Sequence, residues 1–190
     1  IFMNGGLGEI YLGGLWLSAV LVEGEESVSM SDLVSTYCYQ GRQPGSPAYK
    51  APEVLMNQPL TTKVDIYSFG MCLLVLLTKE DPYIEIYGAH LNNESGDSDG
   101  HTSNDRKFGY DAIASLIRKG VLPQALDRVS EAKSEAGAFL RSCLALDPQD
   151  RKSAEELLED DFLQQSSGDG GDDNGVIKKM RDECPMDDVG

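Results

Sequence analysis

One stretch constrains the fold of this chain more than any other. From Lys63 to Thr78 the sequence runs Lys-Val-Asp-Ile-Tyr-Ser-Phe-Gly-Met-Cys-Leu-Leu-Val-Leu-Leu-Thr. Wound as a helix, it is apolar on nearly every side, so it is predicted to be buried all round, at the centre of a helical domain. A chain of 190 residues has room for one such domain and little room for a second. The longest apolar run, Met71 to Leu77, is far below the roughly 18 residues of a membrane span.

The flanking sequence supplies what packs around that centre. Ile1-Phe2-Met3 and Glu9-Ile10-Tyr11-Leu12 enclose Asn4-Gly5-Gly6-Leu7-Gly8, which predicts a hairpin. The glycines serve its turn, and no Gly-x-Gly-x-x-Gly spelling makes them a phosphate cradle. Val22 to Pro47 has no sustained period and reads as a long loop of the functional kind. Residues 88–109, including Asn92-Asn93-Glu94-Ser95-Gly96-Asp97, read as a polar insert too poor in apolar groups to order itself. Further helices are predicted over Asp111–Lys119, stopping at Gly120, and over roughly Ser130–Leu146. Another begins at Ser153, where Glu156 three residues on spells a capping box, and is expected to pack through Leu157 and Leu158. Residues 164–190 read as an acidic disordered tail. The fold class is therefore mainly α, with a small β-hairpin at the N-terminus.

Charge and cysteine usage narrow the class of function. Asp and Glu outnumber Lys and Arg by 32 to 16, a net charge of -16. A surface that acidic repels phosphate backbones and anionic lipid, so neither nucleic acid nor membrane is an expected partner. Cys38, Cys72, Cys143 and Cys184 show no Cys-x-x-Cys spacing, and His90 and His101 are the only histidines. That pattern suits reduced thiols in a cytoplasmic protein rather than a zinc site or disulfide frame. Ser95 to Arg106 echoes a calcium loop through Asp97, Asp99 and Gly100. It has Ser at the first ligand position and Arg where a bidentate Glu belongs, so no metal is expected there. No signal peptide is visible, and the chain opens on Ile1 rather than Met, which reads as an internal piece of something longer.

Gly45-Ser46-Pro47-Ala48-Tyr49-Lys50-Ala51-Pro52-Glu53 resembles the end of a protein kinase activation segment, which closes in Ala-Pro-Glu. Asp65-Ile66-Tyr67-Ser68-Phe69-Gly70 resembles the start of the buried central helix of the kinase C-lobe. Asp147-Pro148, Arg151 and Ser153-Ala154-Glu155-Glu156-Leu157-Leu158 resemble its closing helices, ending at Phe162-Leu163. The opening residues, with Leu15 and Leu17, and Phe69-Gly70-Met71-Cys72 look like the with-no-lysine group of eukaryotic Ser/Thr kinases. The resemblance implies a kinase-like C-lobe over 1–163, with the activation segment at 14–53 and the N-lobe absent.

The resemblance also implies roles. ATP and Mg²⁺ serve the complete family domain, and a protein substrate or scaffold is the expected partner. The glycine-rich loop, lysine, catalytic Asp and metal-binding Asn would all lie before Ile1. The remaining metal-binding Asp falls at Gly14, which has no carboxylate, and the following glycine position is Trp16. No catalytic residue, metal ligand or cofactor is thus expected in this chain. By resemblance Ser46, Pro47, Ala48 and Tyr49 line the acceptor site, and Glu53 pairs with Arg151. Asp65 either braces the catalytic loop or simply favours its helix N-terminus. Ser27, Ser29 and Ser31, with Ser35 and Thr36, are candidate phosphosites, although the group's activation serine falls at Arg42. Leu15 and Leu17 match leucines of that group's chloride pocket and read more simply as core. The alternative function is a pseudokinase-type interaction module. In the family a preceding helix encloses the 63–78 helix. Without that helix or the N-lobe, a bare apolar face, self-association and poor folding are expected.

Overall fold

The computed structural model describes residues 2–3, 10–13, 18–21, 23–29, 45–86 and 103–164. Outside them lie the hairpin turn, Gly14, Leu15, Trp16 and Leu17, and also Ser31, Ser35, Thr36 and Arg42. The greater part of the 88–109 insert and residues 165–190 of the tail lie outside them as well. The described residues are mainly helical. Two short strands, β1 (Phe2–Met3) and β2 (Ile10–Tyr11), pair antiparallel with Phe2 opposite Tyr11 and Met3 opposite Ile10.

The central helix is α2 (Lys63–Thr78). It opens where Thr61 Oγ1 accepts from the Lys63 amide at 3.2 Å, with Asp65 in the first turn at the positive end of the dipole. It closes at Lys79, which takes the left-handed conformation at φ 56°. Tyr67, Met71, Leu74 and Leu77 form the middle of a single core with Ile113, Ile117, Leu126, Phe139, Leu140 and Leu144. Gly70 lets the neighbouring helix approach. A Cβ there would stand 2.7 Å from Cys143 Cβ and 2.9 Å from Leu144 Cδ2.

One face of α2 departs from the expected burial. Phe69 is 41% and Leu76 71% exposed, although the Phe69 ring meets Phe139 edge to face with centroids 6.5 Å apart. The other faces meet α4 (Gln124–Ala132), α5 (Ser134–Cys143) and a short 3-10 turn at Pro47–Tyr49.

Two of the predicted helices also differ from the sequence reading. Helix α3 (Ser103–Arg118) starts well before Asp111 and takes in residues 103–109 of the segment read as an insert. Gly109 lowers helix propensity there, yet it is buried, and packing overrides propensity. The stop at Gly120 is a Schellman turn, with φ +74° and the Val121 amide donating to the Leu116 carbonyl at 3.0 Å. The helix expected over 130–146 is two. Lys133, at φ -146° and ψ 94°, ends α4 and starts α5. The break folds the pair together so tightly that a Cβ on Gly137 would lie 2.6 Å from Ser130 Cα.

The last elements are α1 (Pro52–Leu55), before the central helix, and α6 (Ala154–Leu158) and α7 (Asp161–Gln164), after it. The capping box at α6 is formed, with the Glu156 amide donating to Ser153 Oγ at 3.2 Å and the Ser153 amide to Glu156 Oε2 at 2.6 Å. Leu157 is buried, whereas Leu158 points out, 65% exposed. A five-residue helix turns only one of two adjacent leucines toward the core.

Candidate functional site

The segment 45–53 folds as a ledge across the N-terminal half of α2. Gly45 supplies the positive φ, +88°, that turns the chain onto it. Ser46 then caps the 3-10 turn, its Oγ accepting from the Ala48 amide at 3.4 Å, and the Lys50 amide closes the turn on the Pro47 carbonyl at 3.0 Å. Pro47 and Ala48 are buried beneath, and Tyr49 is half-buried. Ser46 is exposed, so the ledge offers a hydroxyl above an apolar floor.

Two anchors that sequence reasoning missed hold this ledge. Ser68, the one serine of α2, donates to the Tyr49 carbonyl at 2.8 Å. A serine inside so apolar a helix was the available signal. Lys50 reaches the Tyr110 hydroxyl at 3.2 Å, with its ammonium 5.4 Å from the ring centre. Nothing local to either residue announces that contact across 60 residues of sequence.

Glu53 and Arg151 come together at the root of the ledge, 2% and 1% exposed. Arg151 Nη1 donates to Glu53 Oε1 at 2.8 Å and Nη2 to Oε2 at 3.2 Å. The other guanidinium N–H groups donate to the carbonyls of Ala145 (3.0 Å), Lys63 (2.7 Å) and Leu146 (3.4 Å). All of the donors of this arginine are therefore satisfied. Its carbon centre stands 5.1 Å over the Tyr67 ring. Burial pushes the Tyr67 hydroxyl up to about 12, ahead of smaller contributions from Tyr83, Arg151 and Glu53. The Lys63 ammonium donates to the Arg151 carbonyl and lies 4.0 Å from Glu156. One guanidinium thus ties together the end of the ledge, the start of α2 and the turn before α6.

Asp65 does not join this network. Its side chain is exposed by surface area yet crowded by protein atoms, and that desolvation raises its carboxyl above the ordinary 3.8. Ser27 and Ser29 are exposed on either side of Val28, which pairs with Leu60 through amide–carbonyl bonds of 2.8 and 2.9 Å. Both hydroxyls therefore lie on a strip held beside the approach to α2. Among the described residues no three of His, Cys, Asp and Glu are placed to hold a metal ion, and no helix is long and apolar enough to cross a membrane.

Comparison with known proteins places this geometry in context. Residues 22–163 match the family described as protein kinase domain. The chain is 31% identical over 166 residues to a probable serine/threonine-protein kinase WNK5 of Oryza sativa subsp. japonica, covering 86% of this chain and 38% of that protein. It is 34% identical over 177 residues to a probable WNK8 kinase of the same organism, covering 93% and 22%. To the serine/threonine-protein kinase WNK8 of Arabidopsis thaliana it is 32% identical over 177 residues, covering 93% and 24%. The chain spans between 22% and 38% of the length of these relatives.

Proposed function

The chain belongs to the serine/threonine protein kinase domain family, close to the WNK group, and on that premise we propose that it is the C-terminal part of such a domain. In this reading the ledge at 45–50 receives a protein substrate around its phosphoacceptor, and the chain by itself is catalytically incomplete. The observation that carries it is the Glu53–Arg151 pair. It locks the Ala-Pro-Glu end of the ledge to the closing helices and so holds Ser46, Pro47, Ala48 and Tyr49 in one conformation. A preformed wall lowers the ordering cost of binding an extended peptide.

The donor set does not fit a metal–nucleotide complex. Mg²⁺ bound to phosphates needs one or two carboxylates at fixed octahedral positions, whereas position 14 is glycine. This favours the second reading, a pseudokinase-type module that docks a protein partner on the same ledge without phosphotransfer.

The test is transfer of labelled γ-phosphate from ATP, with Mg²⁺, to Ser/Thr peptides by the 190-residue chain. A parallel measurement follows amide shifts at Ala48 and Lys50 as peptide is added. We expect no transfer and no melting shift with ATP and Mg²⁺, but saturable peptide shifts that Ala48→Asp abolishes. EDTA-sensitive transfer would overturn catalytic incompleteness. Peptide shifts unaffected by Ala48→Asp would overturn the docking role.

A further inference from the structure

The ledge at 45–53 carries a single cation, Lys50, in a chain whose net charge is -16. Its one acid, Glu53, is buried on Arg151. The Lys50 amide closes the 3-10 turn on the Pro47 carbonyl, and the residue is half-buried. Its stem runs back along the edge where the ledge begins. A Cβ placed on Gly45 would stand 3.9 Å from Lys50 Cε. Gly45 and Ser46 are both exposed, so the charged end of Lys50 lies at the rim of the ledge, next to the residue that precedes Ser46.

Two contacts from α3 fix that charged end. The ammonium donates to the Tyr110 hydroxyl at 3.2 Å and stands 5.4 Å from the centre of its ring. A phenol and a ring face carry no charge, so these contacts hold the ammonium in place without cancelling it. Asp111, the next residue of α3, is exposed and projects about 100° further round the helix. A lysine on an open surface must be ordered when a ligand binds, at a cost in affinity. Lys50 is ordered by the fold beforehand. Beneath it the floor is apolar, with Pro47 and Ala48 buried. A peptide lying along the ledge therefore meets an apolar floor and one fixed positive charge at its edge.

Resting on the reading of 45–50 as a peptide wall, we propose that Lys50 is its specificity-determining residue, selecting peptides with a carboxylate side chain beside the docked serine or threonine. Tyr110 is the positioning residue that aims the ammonium. A lysine head is a compact point charge that a carboxylate oxygen can approach from several directions, and half-burial strengthens the contact over one in open water.

The experiment uses the 190-residue chain at an ionic strength of about 0.15 M, where charges beyond about 8 Å are largely screened. Three acetylated, amidated peptides of sequence Gly-Ala-X-Ser-X-Ala-Gly, with X as Asp, Asn or Lys, are titrated while the Ala48 and Tyr49 amides are followed. The Asp peptide should bind roughly tenfold more tightly than the Asn peptide, as a hydrogen bond to a charged group allows. Lys50→Met should bring the two dissociation constants together, and Lys50→Glu should make the Lys peptide the preferred one. Lys50→Arg keeps the charge and should keep the preference for Asp. Tyr110→Phe removes the hydroxyl and should lower the Asp-to-Asn ratio roughly threefold. Melting curves show that each variant is folded. Equal binding of the Asp and Asn peptides by the unaltered chain, or a preference that survives Lys50→Met, would overturn the selection and leave the peptide wall standing. Sodium acetate that reproduces the shifts of the Asp peptide would overturn it too, by showing a site for bare anions. Absence of saturable shifts with all three peptides would overturn the peptide wall itself, and the selection with it.

Discussion

Glu53 and Arg151 lie 98 residues apart in sequence and meet as a two-pronged ion pair with neither side chain open to water. A pair so placed contributes less through its own attraction than through the penalty for separating it. Arg151→Ala leaves the Glu53 carboxylate buried without its counter-charge and strips three carbonyls of a donor. It is expected to cost about 3–5 kcal/mol. Replacing both partners by apolar residues of similar volume should cost distinctly less than the sum of the single changes. Urea unfolding midpoints of the two single variants and the double variant check this. Strict additivity would show that the two charges are not coupled.

The ledge should depend on Ser68 more than its distance in sequence suggests. Ser68→Ala removes the donor to the Tyr49 carbonyl and leaves that half-buried oxygen to find water. It is expected to cost about 1 kcal/mol and to speed amide exchange at Lys50. Ser46→Ala, which removes the cap from the Ala48 amide, should act on the same amides. If exchange at 48–50 is unchanged in both variants, the turn is held from α3 through Lys50 and Tyr110 instead.

What could be read from sequence was whatever a short window specifies. The extent of α2 follows from an apolar run with polar ends. The capping box follows from Ser153 and Glu156, and the stop of α3 from Gly120. What could not be read depends on partners distant in the chain. Helix α3 gains its early turns where Gly109 is buried, against its propensity. Lys133 breaks one expected helix into two because the close approach of Gly137 to Ser130 fixes the bend, and no proline or glycine stands at the break itself. At the site, the meeting of Glu53 with Arg151 followed from family resemblance, whereas Lys50 on Tyr110 and Lys63 on the Arg151 carbonyl left no local trace.

Two glycines mark where the core tolerates no side chain. At Gly137 an added Cβ meets the Ser130 backbone at 2.6 Å, and at Gly70 it meets Cys143 Cβ at 2.7 Å. In each case the obstacle is rigid. Gly137→Ala and Gly70→Ala are therefore each expected to destabilise by about 1–3 kcal/mol through overpacking, although alanine is the better helix former. Thermal melts decide the sign. A gain in stability at either position would mean that the helices can separate at little cost.

The corner between α6 and α7 should respond to acid through Asp160. The Lys152 ammonium, 2.6 Å from Oδ2, is the main cause that holds this carboxyl below its ordinary 3.8, and the Phe162 amide at 3.0 Å adds to it. A group whose pKa is lower when folded contributes stability that is present above its unfolded value and is lost as pH falls through its folded value. Lys152 is shifted the other way, upward from 10.5, chiefly by the same hydrogen bond. Its contribution is complete below that value and is lost only as pH rises through the folded one. The pair thus works across the whole neutral range and fails at both extremes. Because Lys152 is 41% exposed, solvent screens the pair and its effect is local. Asp160→Asn should accordingly flatten the acid limb of stability between about pH 5 and pH 3, while Lys152→Met should reproduce that change and also remove the alkaline one. The signal to follow is the Phe162 ring, which stacks on Phe139 with centroids 4.9 Å apart. An acid limb as steep in Asp160→Asn as in the unaltered chain would assign the acid sensitivity to Glu156, whose carboxyl is lowered by the Ser153 amide, and would leave Asp160 only a packing role.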